Sequence, residues 1–212
     1  MKRVIAIAVV FCGLLAAYYS GGTRATKYLT ENANGEIALD VTAGQRLLDL
    51  EITQAEIERS NKGLAIAPVP LRAGFGRTRF LVGLGSYLVN AVGGCNDCHT
   101  SPSYAPGGNP FQGQPEKINT QNYLAGGQRF GPFTSRNITP DPKEGNRPAG
   151  LSLNEFLETM RKGIDHDKLH PQISPLLQVM PWPVYGKMTD RDLTAIYYYL
   201  SAIPHAEPPA AP

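Results

Sequence analysis

The 212-residue chain has little of what several broad protein classes require. Charged residues make up only 18% of it, the net charge is +2, and like charges do not cluster, so it lacks the electrostatic footprint of a nucleic-acid-binding protein. Apolar residues reach 42%, enough for a packed core but not for a polytopic membrane protein. With three cysteines, the chain can form at most one disulfide. Glycine and proline are plentiful, which favours long irregular loops.

The N-terminus combines a positive end, Lys2-Arg3, with an uncharged apolar run from Val4 to Tyr19. This pattern predicts a secretory signal or a short membrane anchor. As a helix the run would reach about 24 Å, somewhat short of a ~30 Å hydrocarbon core. Small residues before Thr23 would permit cleavage, so cleavage and retention both remain open. Either way residues 1–22 direct export of the rest, to the periplasm or to the outer face of the inner membrane.

Two of the three cysteines define the strongest motif of the chain. Cys12 follows Phe11 inside the apolar run, where a lipoprotein would need a small residue, so we interpret it as a simple apolar residue. Cys95 and Cys98 belong to Cys-Asn-Asp-Cys-His, a C-x-x-C-H sequence typical of covalent haem c attachment. Two thiols at this spacing reach the vinyl groups along one porphyrin edge, and His99 then places an imidazole beneath the iron.

Two other interpretations of the cysteines are open. A thioredoxin-like disulfide needs a strand before the motif and a helix after it, whereas here a predicted helix precedes the motif and a proline-rich loop follows. A zinc site could be formed by Cys95, Cys98, His166 and His170. That site would leave His99 without a role, and the stretch between the two ligand pairs is much longer than the loop of a zinc finger.

Apolar spacing and capping signals predict a few helices around a long loop. Steps of three and four residues favour a helix from Arg77 to Val92, ended by glycines just before the motif, and mixed spacing favours another over 42–60. The pair Ser152 and Glu155 predicts a helix that ends at Gly163, and acidic residues after Thr189 predict a last helix that Pro204 stops. The region 100–150 has no periodicity, so a large apolar cofactor is expected to organise it.

A haem iron with one histidine needs a sixth ligand or an open position. The candidates are Met180, Met188, His166 and His170. Met188 directly precedes the predicted cap Thr189, where an apolar residue usually packs on the helix start. Met180 lies in a proline-stiffened Val-Met-Pro-Trp-Pro segment that would hold a thioether at small entropic cost, and it is the preferred ligand.

Two sets of polar contacts around the haem are also expected. The second ring N–H of His99 should donate to a backbone carbonyl in the following loop. Trp182, Tyr185 and Asn137 are candidate partners of the haem propionates, although each is more often a packing residue.

From about Gly76 to Pro204 the chain resembles the monohaem class I cytochrome c family. Three stretches carry the resemblance: Gly85-Ser86-Tyr87-Leu88 leading into CNDCHT, Asn137-Ile138-Thr139-Pro140-Asp141, and MPWPVYGKMTDRDLTAIYYYLSAIP from Met180. It is closest to the small cytochromes that serve periplasmic alcohol, aldehyde and related dehydrogenases. The first 75 residues lie outside it.

The resemblance implies an all-α class I cytochrome c-like fold, with long loops around one covalently attached haem c. It places Cys95 and Cys98 as attachment points and His99 and Met180 as iron ligands, with no catalytic residues. The first and last helices should cross beside the haem, with Gly85 against Tyr199. The expected division is an N-terminal extension over 23–75, the cytochrome domain over 76–205 and a disordered tail over 206–212.

The function implied is that of an electron carrier rather than an enzyme. The chain would pass single electrons from a periplasmic or membrane dehydrogenase to an oxidase or another cytochrome. An open iron site, serving an enzyme or a gas sensor, is the alternative.

Overall fold

The structure, a computed structural model, describes residues 28–31, 37–40, 52–73, 75, 78–166 and 174–209. The apolar run Val4–Tyr19 and His170 lie outside these ranges. Within them, no helix has the length and apolar character needed to cross a membrane. The helices are α1 (Gln54–Ile66), α2 (Arg79–Tyr87), α3 (Cys95–His99), α4 (Leu153–Lys162), α5 (Trp182–Tyr185) and α6 (Asp190–Ala202).

Short strands form three antiparallel pairs, and the described chain is otherwise helix and loop. The pairs are β1 (Tyr28–Glu31) with β2 (Ile37–Asp40), β3 (Arg129–Phe130) with β4 (Phe133–Thr134), and β5 (Pro140–Asp141) with β6 (Arg147–Pro148). Single 3₁₀ turns occur at Pro110–Gln112 and Pro142–Glu144. The mostly helical architecture agrees with the expected all-α class.

Side-chain caps explain where three helices begin. In each capping box a hydroxyl residue and an acidic residue three positions later satisfy each other's backbone N–H groups, at Thr53 with Glu56, Ser152 with Glu155 and Thr189 with Asp192. The sequence predicted the starts of α4 and α6. It placed the first helix at 42–60, whereas the described helix runs from Gln54 to Ile66 and residues 42–51 lie outside the described ranges.

The crossing of α2 and α6 is close because a glycine lies at the contact. A Cβ on Gly85 would overlap the carbonyl oxygen of Ala195 and lie 2.8 Å from the Cβ of Tyr199. Tyr199 and Leu84 are completely buried here. The expected pairing of Gly85 with Tyr199 is therefore present in the structure.

Helix α1 packs on the opposite side of α2 through a second close contact. A Cβ on Gly63 would overlap the carbonyl oxygen of Gly83. Two buried hydroxyls join the helices: Ser60 Oγ donates to Phe80 O at 2.9 Å, and Ser86 Oγ donates to Gly63 O at 2.7 Å. This part of the expected N-terminal extension thus shares the core with the helix that leads to the motif.

We expect Gly63→Leu to lower the free energy of unfolding by about 3 kcal/mol, because the larger residue must force two helix backbones apart. Leucine has a higher helix propensity than glycine, so propensity alone would act in the opposite direction. Ala65→Leu is the control, since Ala65 is exposed on the same helix, and we expect a change within ~0.5 kcal/mol. Denaturant unfolding of the purified holoproteins measures the change for both variants. An unfolding midpoint of Gly63→Leu equal to that of the wild type would contradict this packing.

The start of the expected tail makes hydrogen bonds with the long loop. Asn137 Nδ2 donates to Ala206 O and Asn122 Nδ2 donates to Glu207 O, both at 2.8 Å. Residues 210–212 lie outside the described ranges.

Candidate functional site

The motif forms its own short helix, α3, after a tight connection from α2. The chain continues from α2 into a π-helical turn over Leu88–Val92, and Gly94 then adopts a left-handed conformation with φ 57°. Glycine tolerates this conformation without steric cost. On the outer side, Gln128 Nε2 donates to the carbonyls of Asp97 and Thr100, each at 3.1 Å. The long loop therefore fixes the position of the motif.

His99 is held in one orientation by a main-chain carbonyl. Its Nδ1 lies 2.8 Å from Arg136 O. Because a carbonyl oxygen only accepts hydrogen bonds, Nδ1 carries the ring proton and Nε2 keeps its lone pair. Burial lowers the pKa of His99 below its usual range, although the bond to Arg136 opposes the shift. The imidazole is thus neutral and oriented as a metal ligand, and the expected bond to a loop carbonyl is present.

The bond from His99 to Arg136 depends on a glycine that the sequence analysis did not single out. Gly126 N donates to His99 O at 2.6 Å, and Gly126 has φ 78°. A Cβ on Gly126 would lie 2.5 Å from the carbonyl carbon of Arg136 and from Ser135 O. A larger residue would therefore displace the carbonyl that orients the imidazole. The only sequence signal was the Gly126-Gly127 pair in a loop without periodicity.

The two thiols of the motif are free in the structure. Burial, with a smaller contribution from Cys98, raises the pKa of the Cys95 thiol to about 12. Burial and the neighbouring Asp97 also raise the pKa of Cys98. Both are therefore neutral thiols at physiological pH, and they do not form the disulfide of the thioredoxin-like alternative.

Cys95, Cys98 and His99 all line a cavity of about 260 Å³. Its wall is mainly apolar and combines the π-helical turn after α2, α4, α6 and the long loop; representative residues are Leu88, Phe133, Ile138, Leu151, Phe156 and Ile196. His166 also lines it. Among the residues that the structure describes, no three His, Cys, Asp or Glu side chains are arranged to hold a metal ion, and His170 of the zinc alternative lies outside them.

Both candidate methionines reach the same cavity, as does the buried Met160. The Met180 segment is anchored two residues later, where the Trp182 indole packs on Gly163 and its Nε1 donates to Leu177 O at 3.2 Å. α5 begins two residues after Met180, so the proline-stiffened segment is a single helical turn from Trp182 onward. The backbone at Met188 is held differently, by Arg161 Nη2 donating to Met188 O at 3.1 Å.

The three side chains that the sequence suggested as hydrogen-bond partners of the haem propionates each make hydrogen bonds within the protein. The single N–H of Trp182 donates to Leu177 O, and the hydroxyl of Tyr185 donates to Gly93 O at 3.0 Å. Asn137 bonds Ala206 O through Nδ2 and accepts from Thr139 N through Oδ1. In the structure these three side chains therefore stabilise loops through hydrogen bonds to backbone groups.

The residues around the cavity fit a covalently attached haem. The wall is apolar and brings together two thiols, a neutral imidazole with a free Nε2 and thioether side chains. Thiols at this spacing match attachment to one porphyrin edge, and imidazole and thioether are both iron ligands in cytochromes c.

Comparison with known proteins points to the same class. The chain is 33% identical over 137 residues to the cytochrome c subunit of the quinone-type alcohol dehydrogenase of Gluconacetobacter polyoxogenes, covering 62% of this chain and 24% of that protein. It is 33% identical over 121 residues to the gluconate 2-dehydrogenase cytochrome c subunit of Pantoea cypripedii, covering 56% and 22%. The corresponding alcohol dehydrogenase subunit of Gluconobacter oxydans is 29% identical over 123 residues, covering 56% and 20%. No protein-family model and no solved structure matches.

These matches relate the chain to the cytochromes c. Within them, its relatives are cytochromes associated with dehydrogenases, as the sequence resemblance implied. The relatives are named as cytochrome c subunits, which agrees with the expectation of an electron carrier rather than an enzyme. The chain spans about a quarter of the length of the curated relatives it matches.

Proposed function

We propose that this chain is a monohaem class I cytochrome c that transfers single electrons. Cys95 and Cys98 would hold the haem through thioether bonds, and His99 and Met180 would bind its iron. The observation that carries the proposal is the His99 imidazole, oriented by Arg136 O in the wall of a cavity that also contains both thiols. The sequence contains one C-x-x-C-H motif, which supports a single haem.

We place the start of the cytochrome unit at about Ile52 rather than residue 76. Ile52 and Ile57 are buried, and α1 packs against α2 through Gly63. The unit then extends to about residue 205, and residues 1–22 are the export signal or membrane anchor.

The ligand set supports electron transfer. When bound, the haem supplies the one-electron couple, while the protein sets its ligation and access. Histidine and methionine together favour ferrous iron and raise the reduction potential. With His99 and Met180 both bound to the iron, oxygen or peroxide would find no open coordination position, which suits electron transfer.

We place the chain on the periplasmic side of the inner membrane, with a dehydrogenase as electron donor and an oxidase or another cytochrome as acceptor. The N-terminal export pattern supports this location. The names of the relatives, which are subunits of alcohol and gluconate dehydrogenases, support a dehydrogenase as donor.

The intact mass and the absorption spectrum of the mature protein test the proposal together. We expect the added mass of one haem, a low-spin reduced spectrum and a methionine-to-iron band in the oxidised form. A high-spin ferric spectrum would favour the alternative, an enzyme or gas sensor with an open iron site. A colourless protein without added porphyrin mass, matured in a cell competent for haem attachment, would overturn the proposal.

A further inference from the structure

The cavity wall contains one polar cluster that the proposed ligand set does not use. Apart from His99, the described wall residues with a charged or imidazole side chain are Arg136, Asp165 and His166. Arg136 Nη2 and Asp165 Oδ2 form an ion pair at 2.6 Å, and both side chains are largely buried. The opposite charges of Arg136 and Asp165 compensate each other. The third member of the cluster, the imidazole of His166, follows Asp165 directly in the sequence.

His166 Nε2 is buried without a hydrogen-bond partner in the described part of the chain. Glu158 Oε2 approaches it to 3.3 Å, but that approach does not have hydrogen-bond geometry. Native structures contain few buried polar atoms without a partner, because each has lost its hydrogen bonds to water without replacement. Because His166 lines the cavity, the missing partner is expected in the molecule that fills it.

We propose that His166 Nε2 donates a hydrogen bond to a carboxylate of the haem. This inference rests on the proposed function. A haem offers a hydrogen-bond donor its two propionate carboxylates, and both axial iron positions are already assigned to His99 and Met180. A protonated imidazole bound to a carboxylate forms a charge-assisted hydrogen bond, which is stronger than a neutral one.

The assignment has a measurable electrostatic consequence. Reduction of the iron removes one positive charge, so a protonated His166 beside the haem favours the reduced state. Among the residues that the structure describes, the other charged groups near His166 are Glu155 and Glu158 on α4, Asp165 next to it and Arg136, which pairs with Asp165. Histidine is the side chain that ordinarily titrates between pH 5 and 8, so the reduction potential should fall as the pH rises through this range.

The test compares the holoprotein with two histidine variants. His166→Gln keeps an N–H donor but cannot titrate, so we expect the pH dependence of the potential between pH 5 and 8 to be lost while the low-spin spectrum remains. His205→Gln is the matched control and should retain the wild-type dependence, since His205 lies outside the cavity and bonds Pro140 O and Glu207. Retention of the dependence in His166→Gln would overturn the assignment, as would a wild-type potential that does not change over this range.

A measurement on the unmodified chain covers the case in which His166→Gln yields no holoprotein. The NMR signals of the His166 ring should titrate at higher pH in the reduced protein than in the oxidised one. Identical titrations in the two states would overturn the assignment. Absence of haem from the wild-type protein would instead refute the proposed function itself, so the two failures are distinguishable.

Discussion

Replacing Met180 with alanine should lower the reduction potential by on the order of 0.1 V or more, because axial ligands tune haem potentials over about 0.8 V. In the proposed ligand set the Met180 thioether stabilises ferrous iron, so its loss would leave one coordination position of the iron open. The variant should therefore lose the methionine-to-iron absorption band and bind carbon monoxide in the ferrous state. Redox titration and absorption spectroscopy measure these changes on the purified holoprotein.

Met188→Ala is the matched control for this experiment. Met188 lines the same cavity and is about as buried as Met180, so the substitution removes a comparable apolar contact. Its position is set by the cap of α6 and by Arg161, which bonds its carbonyl and would do so equally with alanine. We expect the band and the potential to be nearly unchanged. The opposite behaviour of the two variants would assign the iron ligand to Met188.

Local signals in the sequence were sufficient to predict the two helices that cross beside the cavity. The apolar spacing before the motif gave α2, and the acidic turn after Thr189 gave α6. Their close contact at Gly85 and Tyr199, which the structure has, was implied by the resemblance to cytochromes c and not by these local signals. Helix starts and helix faces depend on residues a few positions apart, so capping rules and periodicity describe them well.

The long loop could not be predicted in the same way because its order depends on contacts distant in sequence. Gln128 reaches back to Asp97 and Thr100, and Gly126 lies between His99 and Arg136. None of these contacts produces a repeating pattern. A loop carbonyl was predicted to accept the hydrogen bond of the His99 N–H, but only the structure identifies it as that of Arg136.

The position and packing of helix α1 were difficult to predict from the sequence for a related reason. Its capping box, Thr53 with Glu56, is visible in the sequence, whereas the apolar spacing over 42–60 predicts a helix that starts further upstream. Its packing depends on Gly63 meeting Gly83 of another helix, and nothing in either segment alone specifies that partner. The resemblance to cytochromes began after this helix and therefore gave no guidance.

Cys98→Ala should give little mature holoprotein, because one of the two covalent links to the haem can no longer form. Each link arises when a thiol adds across a vinyl C=C, forming one S–C and one C–H bond without an external oxidant. The thiolate is the reactive form, and burial raises the pKa of Cys95 to about 12 in the folded chain. We therefore expect attachment to precede burial, so a chain that lacks Cys98 should fold incompletely around a weakly held haem.

The control is Cys12→Ala, which removes a cysteine from the apolar N-terminal run and leaves the motif intact. Haem staining of denaturing gels and intact mass should show normal holoprotein for Cys12→Ala and a large loss of attached haem for Cys98→Ala. The loss should exceed that of any single packing substitution, since residues of both the long loop and the Met180 segment line the cavity that the haem would occupy. Wild-type yields of stable, haem-bearing Cys98→Ala would show that Cys95 alone secures the haem and would contradict the two-thioether attachment.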